Sequence, residues 1–205
     1  MRSCSQRQPN VGRPGKIRIR SSDRAIASSL PWKFVSTSLQ QTERLGHAIG
    51  RVLCGGETIA LYGSLGSGKT ALVRGIAVGL GVSPMDISSP TFVMIHEYQG
   101  RLPLAHVDLY RIRSPEELES TGLAAYFSGQ TVTAIEWADK GLVAMPRDRI
   151  EITLQHRAAR SRAIELSAKG PRSNDVLALA RRQYRTNVRQ SSRRRALNSE
   201  DTTTL

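Results

Sequence analysis

The stretch from Thr58 to Leu80 constrains this chain more than any other. Thr58-Ile59-Ala60-Leu61-Tyr62 is a short apolar run that reads as a buried strand. It ends at Gly63, and Gly63-Ser64-Leu65-Gly66-Ser67-Gly68-Lys69-Thr70 fits the pattern G-x-x-x-x-G-K-[ST]. From Lys69 to Leu80, the residues Leu72, Val73, Ile76, Ala77 and Leu80 recur on one helical side, and Gly81 terminates the run. Strand, glycine-rich turn and amphipathic helix, in that order, are the context in which this pattern cradles phosphate. The glycines let the backbone curl tightly without a Cβ in the way. Successive N–H groups and the helix N-terminus then face an anion. Lys69 adds a charge that reaches terminal phosphates, and Thr70 offers a hydroxyl to Mg²⁺. The expectation is a bound nucleoside triphosphate with magnesium.

Charge points elsewhere at first. The chain of 205 residues has a formal charge of +13, which suggests nucleic acid. Residues 1–30 hold seven Lys/Arg and one acid, and residues 160–205 hold eleven Lys/Arg and four acids. Residues 31–159 hold twelve of each sign, net zero, so the excess lies wholly in the two ends. Apolar residues make up 39% of the chain, enough for one packed domain. No apolar run of membrane-spanning length exists. Cys4 and Cys54 form neither a disulfide framework nor a metal-ligand cluster, so a reducing, cytoplasmic setting is expected. The Arg- and Ser-rich start shares its composition with organellar transit peptides but lacks the apolar stretch of a secretory signal; a basic extension is the reading adopted.

The rest of the chain divides readily. Residues 1–30 are read as a disordered basic extension. Trp32–Val35 is strand-like, and Ser38 with Gln41 forms a capping box before a helix carrying Leu45, Ala48, Ile49, Val52 and Leu53. Thr91–Tyr98 and Leu102–Leu109 are predicted as a hairpin turning at Gln99-Gly100-Arg101. Ser114-Pro115-Glu116-Glu117 is a second capping box. Thr131–Glu136 is another apolar strand, and Arg149–Gln155 with Arg162–Ser167 a further strand pair. Residues 169–205 are read as a basic, mostly disordered tail with one short helix at Val176–Ala180.

A phosphate loop needs an acid near the metal, at the end of a neighbouring parallel strand. Glu136 and Asp108 both end strands, and either can hold the metal or orient the attacking water. Each also has a plainer reading, as a solvated strand-end acid or a turn residue. Alternation places His106 and Asp108 on one face. His106 alone is more often a hydrogen-bonded structural histidine. Ser88-Ser89-Pro90-Thr91-Phe92 is a Ser/Pro loop in which a threonine can sense a γ-phosphate.

Taken together, Gly63–Thr70, Ser89-Pro90-Thr91-Phe92, His106-Val107-Asp108-Leu109-Tyr110-Arg111, Glu117-Leu118 with Gly122-Leu123, and Glu136-Trp137 stand in the order seen in the TsaE (YjeE) family, which the chain resembles over about Thr42 to Trp137. The resemblance implies a three-layer α/β domain of P-loop NTPase type over residues 31–168, with a mixed, mostly parallel central sheet. It implies a magnesium-dependent ATP hydrolase, weak alone, required for threonylcarbamoyladenosine at tRNA position 37. Its partners would be the proteins TsaD and TsaB, with tRNA reached indirectly through that complex. By the matching motifs, Leu65, Gly66, Ser67, Gly68, Lys69 and Thr70 would wrap the phosphates of ATP. Thr70 and Glu136 would ligate Mg²⁺, Asp108 and Thr91 would serve catalysis with Lys69, Trp137 would sit beside the nucleotide, and Thr42 near its base.

Two departures stand out. Many members have an acid after the first loop glycine, where this chain has Ser64. The basic ends exceed the compact length usual in the family. The rival readings are a P-loop small-molecule kinase, for which Arg111 and Arg113 are available, and an RNA-binding module dominated by its tails. Aromatic residues are only 5% of the chain, so base stacking is not signalled.

Overall fold

The computed structural model describes residues 30–87 and 93–200, with side chains of the last helix as far as Gln190. Seven strands form one sheet: β1 (Trp32–Ser36), β2 (Thr58–Tyr62), β3 (Ile95–Gln99), β4 (Pro103–Asp108), β5 (Val132–Glu136), β6 (Ile150–Ala158) and β7 (Ser161–Ala168). Their order is β1-β7-β6-β2-β5-β4-β3. The central four, β6, β2, β5 and β4, run parallel. The outer pairings are antiparallel. β2 and β5 are buried nearly throughout, as a sheet covered on both faces requires.

One face is covered by α1 (Leu39–Gly50), α2 (Lys69–Gly79) and α4 (Pro171–Glu200). Its core includes Leu45, Ile49, Leu72, Ile76, Ile59, Leu61 and Ile152. The other face is covered by α3 (Pro115–Ser120) and two 3-10 turns at Leu123–Phe127 and Ala138–Ala144, around Val107, Leu109, Ile135 and Leu118. This is the expected three-layer α/β domain with a mixed sheet.

The local signals act as anticipated, with one refinement. Ser38 Oγ accepts from Gln41 N at 3.2 Å and Ser114 Oγ from Glu117 N at 3.2 Å. In both boxes the reciprocal bond reaches one residue further back than the N-cap. Gln41 accepts from Thr37 N, and Glu117 from Arg113 N, each at 2.8 Å.

α1 and α2 lie in the same direction and touch through backbone. A Cβ on Gly75 would sit 2.1 Å from Glu43 O, and one on Gly50 would sit 2.2 Å from Ile76 O. Gly46 and Gly79 close the same seam. Four glycines, spaced four apart on each helix, therefore allow a contact that any side chain forbids. The two N-terminal ends come out side by side at the end of the sheet that carries Gly63–Thr70.

Two expectations differ from what is observed, and others fall on residues that are not described. The first strand of the hairpin is shorter, Ile95–Gln99, because the chain turns at Val93–Met94, where Met94 has a φ of 63°. Thr91 and the loop Ser88–Phe92 lie outside the described residues, as do residues 1–29. The larger difference is at the C-terminus, where a helix of 30 residues, Pro171–Glu200, stands in place of a short helix and disorder, while residues 201–205 lie outside the described residues. Its start is held from a distance: Asp148 Oδ2 accepts from Arg172 N and Oδ1 from Ser173 N, both at 2.9 Å. Val176, Leu177 and Ala180 are buried against the domain. The Tyr184 ring packs edge-on to Trp32 and Phe34, with centroids 6.0 and 5.1 Å away. Local composition carries none of this, because cap and docking surface come from other elements.

Gly75→Ala should cost about 1–3 kcal/mol, the usual penalty for forcing volume into a packed contact. Urea unfolding checks it, and an unchanged midpoint would mean the seam is loose. Asp148 yields a pH prediction. Burial opposes its ionisation, but hydrogen bonds from Ser173 and Arg172 outweigh that and hold the carboxyl below its usual range. A depressed carboxyl stabilises above its unfolded pKa, about 3.9, and the contribution is lost as pH falls through the folded value. Far-UV circular dichroism should therefore show helix loss on acidification through that range, with the step missing in Asp148→Ala.

Candidate functional site

The loop Gly63–Thr70 leaves the buried end of β2 and enters α2. Gly63, Gly66 and Gly68 have φ of 143°, 72° and 104°, which L side chains rarely adopt. Gly63 is further confined, since a Cβ there would lie 2.3 Å from Leu154 O. Lys69 Nζ donates to Gly63 O at 2.7 Å and Ser64 O at 3.0 Å, so the ammonium holds the loop closed on itself. The same ammonium lies 3.9 Å from the centroid of the Trp137 ring. Burial pulls Lys69 below the ordinary lysine value, while Glu136, Asp108 and Asp139 oppose the shift.

The carboxylates come from the neighbouring strands. β5 pairs parallel to β2 and to β4, with Glu136 beside Leu61 and Asp108. This register brings both strand-end acids to the loop. Thr70 Oγ1 donates to Glu136 Oε2 at 3.1 Å. The other oxygen, Oε1, lies 2.8 Å from His106 Nε2, and both residues are buried. His106 Nδ1 is itself buried with no hydrogen-bond partner among the described residues. Asp108 Oδ1 accepts from Tyr110 N at 2.9 Å. Trp137 follows Glu136 directly and has a φ of 57°. That left-handed turn, uncommon for a large side chain, swings its ring over Lys69 and towards Tyr110, whose ring centroid is 5.0 Å away.

These residues enclose a cleft of about 290 Å³ lined by Leu65, Gly66, Gly68, Lys69, Thr70, Asp108, Tyr110, Glu136 and Trp137. Across Gly66 and Gly68 lies a second cleft of about 430 Å³, lined by Ser38, Thr42, Ala71 and Arg162 among others. Thr42 is buried, its Oγ1 2.8 Å from Ser36 Oγ. Of the site residues expected from sequence, Thr91 alone lies outside the described residues. Every other site residue expected from sequence is thus brought to one of the two clefts or, like the buried Ser67, into the loop between them. Sequence reasoning passed over Arg162, whose Nε donates to Ser67 O at 3.2 Å and Nη2 to Gly66 O at 3.3 Å. His106 is the hydrogen-bonded structural histidine expected, and its partner is the acid of the site, Glu136. Arg162 carries no motif, and only the β6–β7 register brings it to the loop.

The sequence profile of the family described as "Threonylcarbamoyl adenosine biosynthesis protein TsaE" matches residues 36–164. The chain belongs to the TsaE family. It is 38% identical over 135 residues to the tRNA threonylcarbamoyladenosine biosynthesis protein TsaE of Treponema pallidum, covering 66% of this chain and 99% of that one. To the Bacillus subtilis protein of the same name it is 36% identical over 144 residues, 70% of this chain and 88% of that one. Among solved structures, the crystal structure of Bacillus subtilis YdiB superposes with a TM-score of 0.64 at 30% identity, covering 75% of this chain and 95% of that one. TsaE-family proteins are involved in tRNA threonylcarbamoyladenosine biosynthesis. Among the described residues, no helix is long and apolar enough to cross a membrane.

His106→Ala should cost about 1–3 kcal/mol, because it leaves a buried Glu136 oxygen without its partner. Chemical denaturation measures the loss, and an equally stable variant would show that the contact is dispensable.

Proposed function

We propose that this TsaE-family protein is a magnesium-dependent ATPase that supports threonylcarbamoyladenosine modification at tRNA position 37, working with TsaD and TsaB. One observation carries the reading: Lys69, Thr70, Asp108 and Glu136 converge on a single cleft against the left-handed turns of Gly66 and Gly68. The phosphates of ATP would lie along the amides of Leu65 to Thr70. An ammonium has three N–H donors. Two of those on Lys69 go to loop carbonyls, which leaves the third for a phosphate oxygen.

Thr70 Oγ1 and Glu136 Oε2 are hard oxygen donors 3.1 Å apart at the loop's edge. That set fits Mg²⁺, which takes one or two protein ligands and completes its shell with phosphate oxygens and water. When bound, the ion neutralises charge on the phosphates. His106 holds the second oxygen of Glu136, so the carboxylate presents a fixed edge. Asp108, buried at the cleft wall, is the group proposed to orient the attacking water. Thr91 is proposed as the residue that senses the γ-phosphate. Such a transfer asks little covalent chemistry of the protein, since positioning and charge neutralisation dominate. The base side would be the cleft at Ser38 and Thr42, with Trp137 flanking the phosphate end. The cytoplasm is the proposed setting.

A second reading draws on an open depression of about 650 Å³ lined by Tyr110, Arg111, Arg113, Glu117 and Lys140, which adjoins the cleft at Tyr110. Its cations suit an anionic acceptor, as a small-molecule kinase requires. ATP turnover measured with TsaD and TsaB, and separately against a metabolite panel, separates the two. Stimulation by a metabolite and not by the partners supports the kinase. Lys69→Ala should lower ATP turnover by about 100-fold or more, and Glu136→Ala should raise the magnesium concentration needed for activity. Unchanged ATPase in both variants would overturn the assignment.

A further inference from the structure

Among the described residues, the charge that the nucleotide site leaves unexplained sits largely on α4. Its 30 residues contain eight arginines and two acids, while residues 31–159 are neutral overall. The region matched to the family ends at residue 164, before α4 begins.

The helix has two parts. The first is built to stay on the domain, through Asp148, Val176, Leu177, Ala180 and Tyr184. Arg172 belongs to this part, since its guanidinium donates to Gly55 O and to Glu57. Past Tyr184 the helix leaves the core, and Arg185, Thr186, Val188, Arg189 and Gln190 are all exposed. Arg181, Arg185 and Arg189 are exposed and stand four residues apart. They form one stripe with a rise of about 6 Å between neighbours. Like charges at this spacing repel each other and weaken an isolated helix, so the stripe is stabilised by a polyanion laid along it.

The chemistry of that polyanion can be narrowed. Guanidinium groups bind phosphate in a bidentate fork. The only aromatic residue of α4 is Tyr184, and its ring is engaged with Trp32 and Phe34. No aromatic ring on this helix is therefore left to stack on unpaired bases, and the stripe suits a sugar–phosphate backbone. An interfacial membrane helix needs an apolar face opposite its basic one. Between Tyr184 and Gln190, where side chains are described, only Val188 is apolar.

We propose that the outward stripe of α4, through Arg181, Arg185 and Arg189, binds the phosphate backbone of tRNA, so that the protein contacts RNA directly and not only through partner proteins. The choice of tRNA rests on family membership; the proposal is independent of the ATPase reading.

The test uses the full-length chain carrying R181Q, R185Q and R189Q together. Glutamine is a good helix former, and the packed face is untouched. Binding of fluorescein-labelled tRNA is followed by anisotropy from about 50 to 200 mM KCl. Affinity should fall by roughly tenfold or more at about 100 mM salt, and the slope of log K against log salt should become shallower by about two to three, as for the loss of three phosphate contacts. A second variant, R185E, separates binding from folding. It places a carboxylate between Arg181 and Arg189, which favours the helix, and yet should weaken tRNA binding. Circular dichroism should show the helix retained in both variants, and ATP turnover of the isolated chain should match that of the parent. A failed ATPase assay and a failed RNA assay are therefore read separately. Unchanged tRNA affinity and salt slope in both variants overturn the proposal. So does arginine-dependent binding to phosphatidylglycerol vesicles with no binding of tRNA.

Discussion

The rest of the structure depends on the backbone contact between α1 and α2. Most helix pairs are held apart by side chains, at 8–10 Å between axes. Here Gly46, Gly50, Gly75 and Gly79 remove the spacers, and carbonyl oxygens of one helix occupy the positions a Cβ would need on the other. Because the helices run in the same direction, the close approach brings Ser38 and Thr42 to the flank of the phosphate loop. The second cleft thus exists because four side chains are missing elsewhere. Leu45, Ile49, Leu72 and Ile76 then point to the sheet and build the core of that face.

The opposite flank of the loop is an electrostatic arrangement. Three parallel strands, β2, β5 and β4, end at the same level, so Glu136 and Asp108 arrive beside the start of α2. Lys69 sits among these acids and against an indole face. Burial disfavours its charge, and the carboxylates offset part of that effect. Glu136 in turn is divided between Thr70 and His106, one oxygen each. A carboxylate held at both oxygens has little rotational freedom, which suits the magnesium-ligand role proposed for Glu136.

Much of this was legible in the sequence, because the signals are local. The loop was readable from glycines whose spacing has a conformational reason. The two capping boxes were readable from serine and its partner three residues on. Glu136 and Asp108 were readable as strand-end acids, and the β4–β5 register sets them side by side. What sequence could not carry was long-range. Arg162 reaches the loop from the far hairpin, 95 residues beyond Ser67. α4 takes its cap from Asp148 and its aromatic dock from β1, so its own arginine-rich composition pointed to disorder. At the Met94 turn, Met94 O accepts from Asp108 N at 2.9 Å, a partner 14 residues further along the chain.

The glycine seam has one more consequence. A cleft bounded by rotamers can breathe, since each side chain that lines it offers a soft torsional mode. The spacing between α1 and α2 is set instead by the van der Waals radii of main-chain atoms, which have no such mode. The two helices therefore move as one stiff unit, and the wall of the cleft that holds Thr42 and Ala71 keeps a fixed spacing. Whatever occupies that side of the loop meets one wall that was gauged before it arrived.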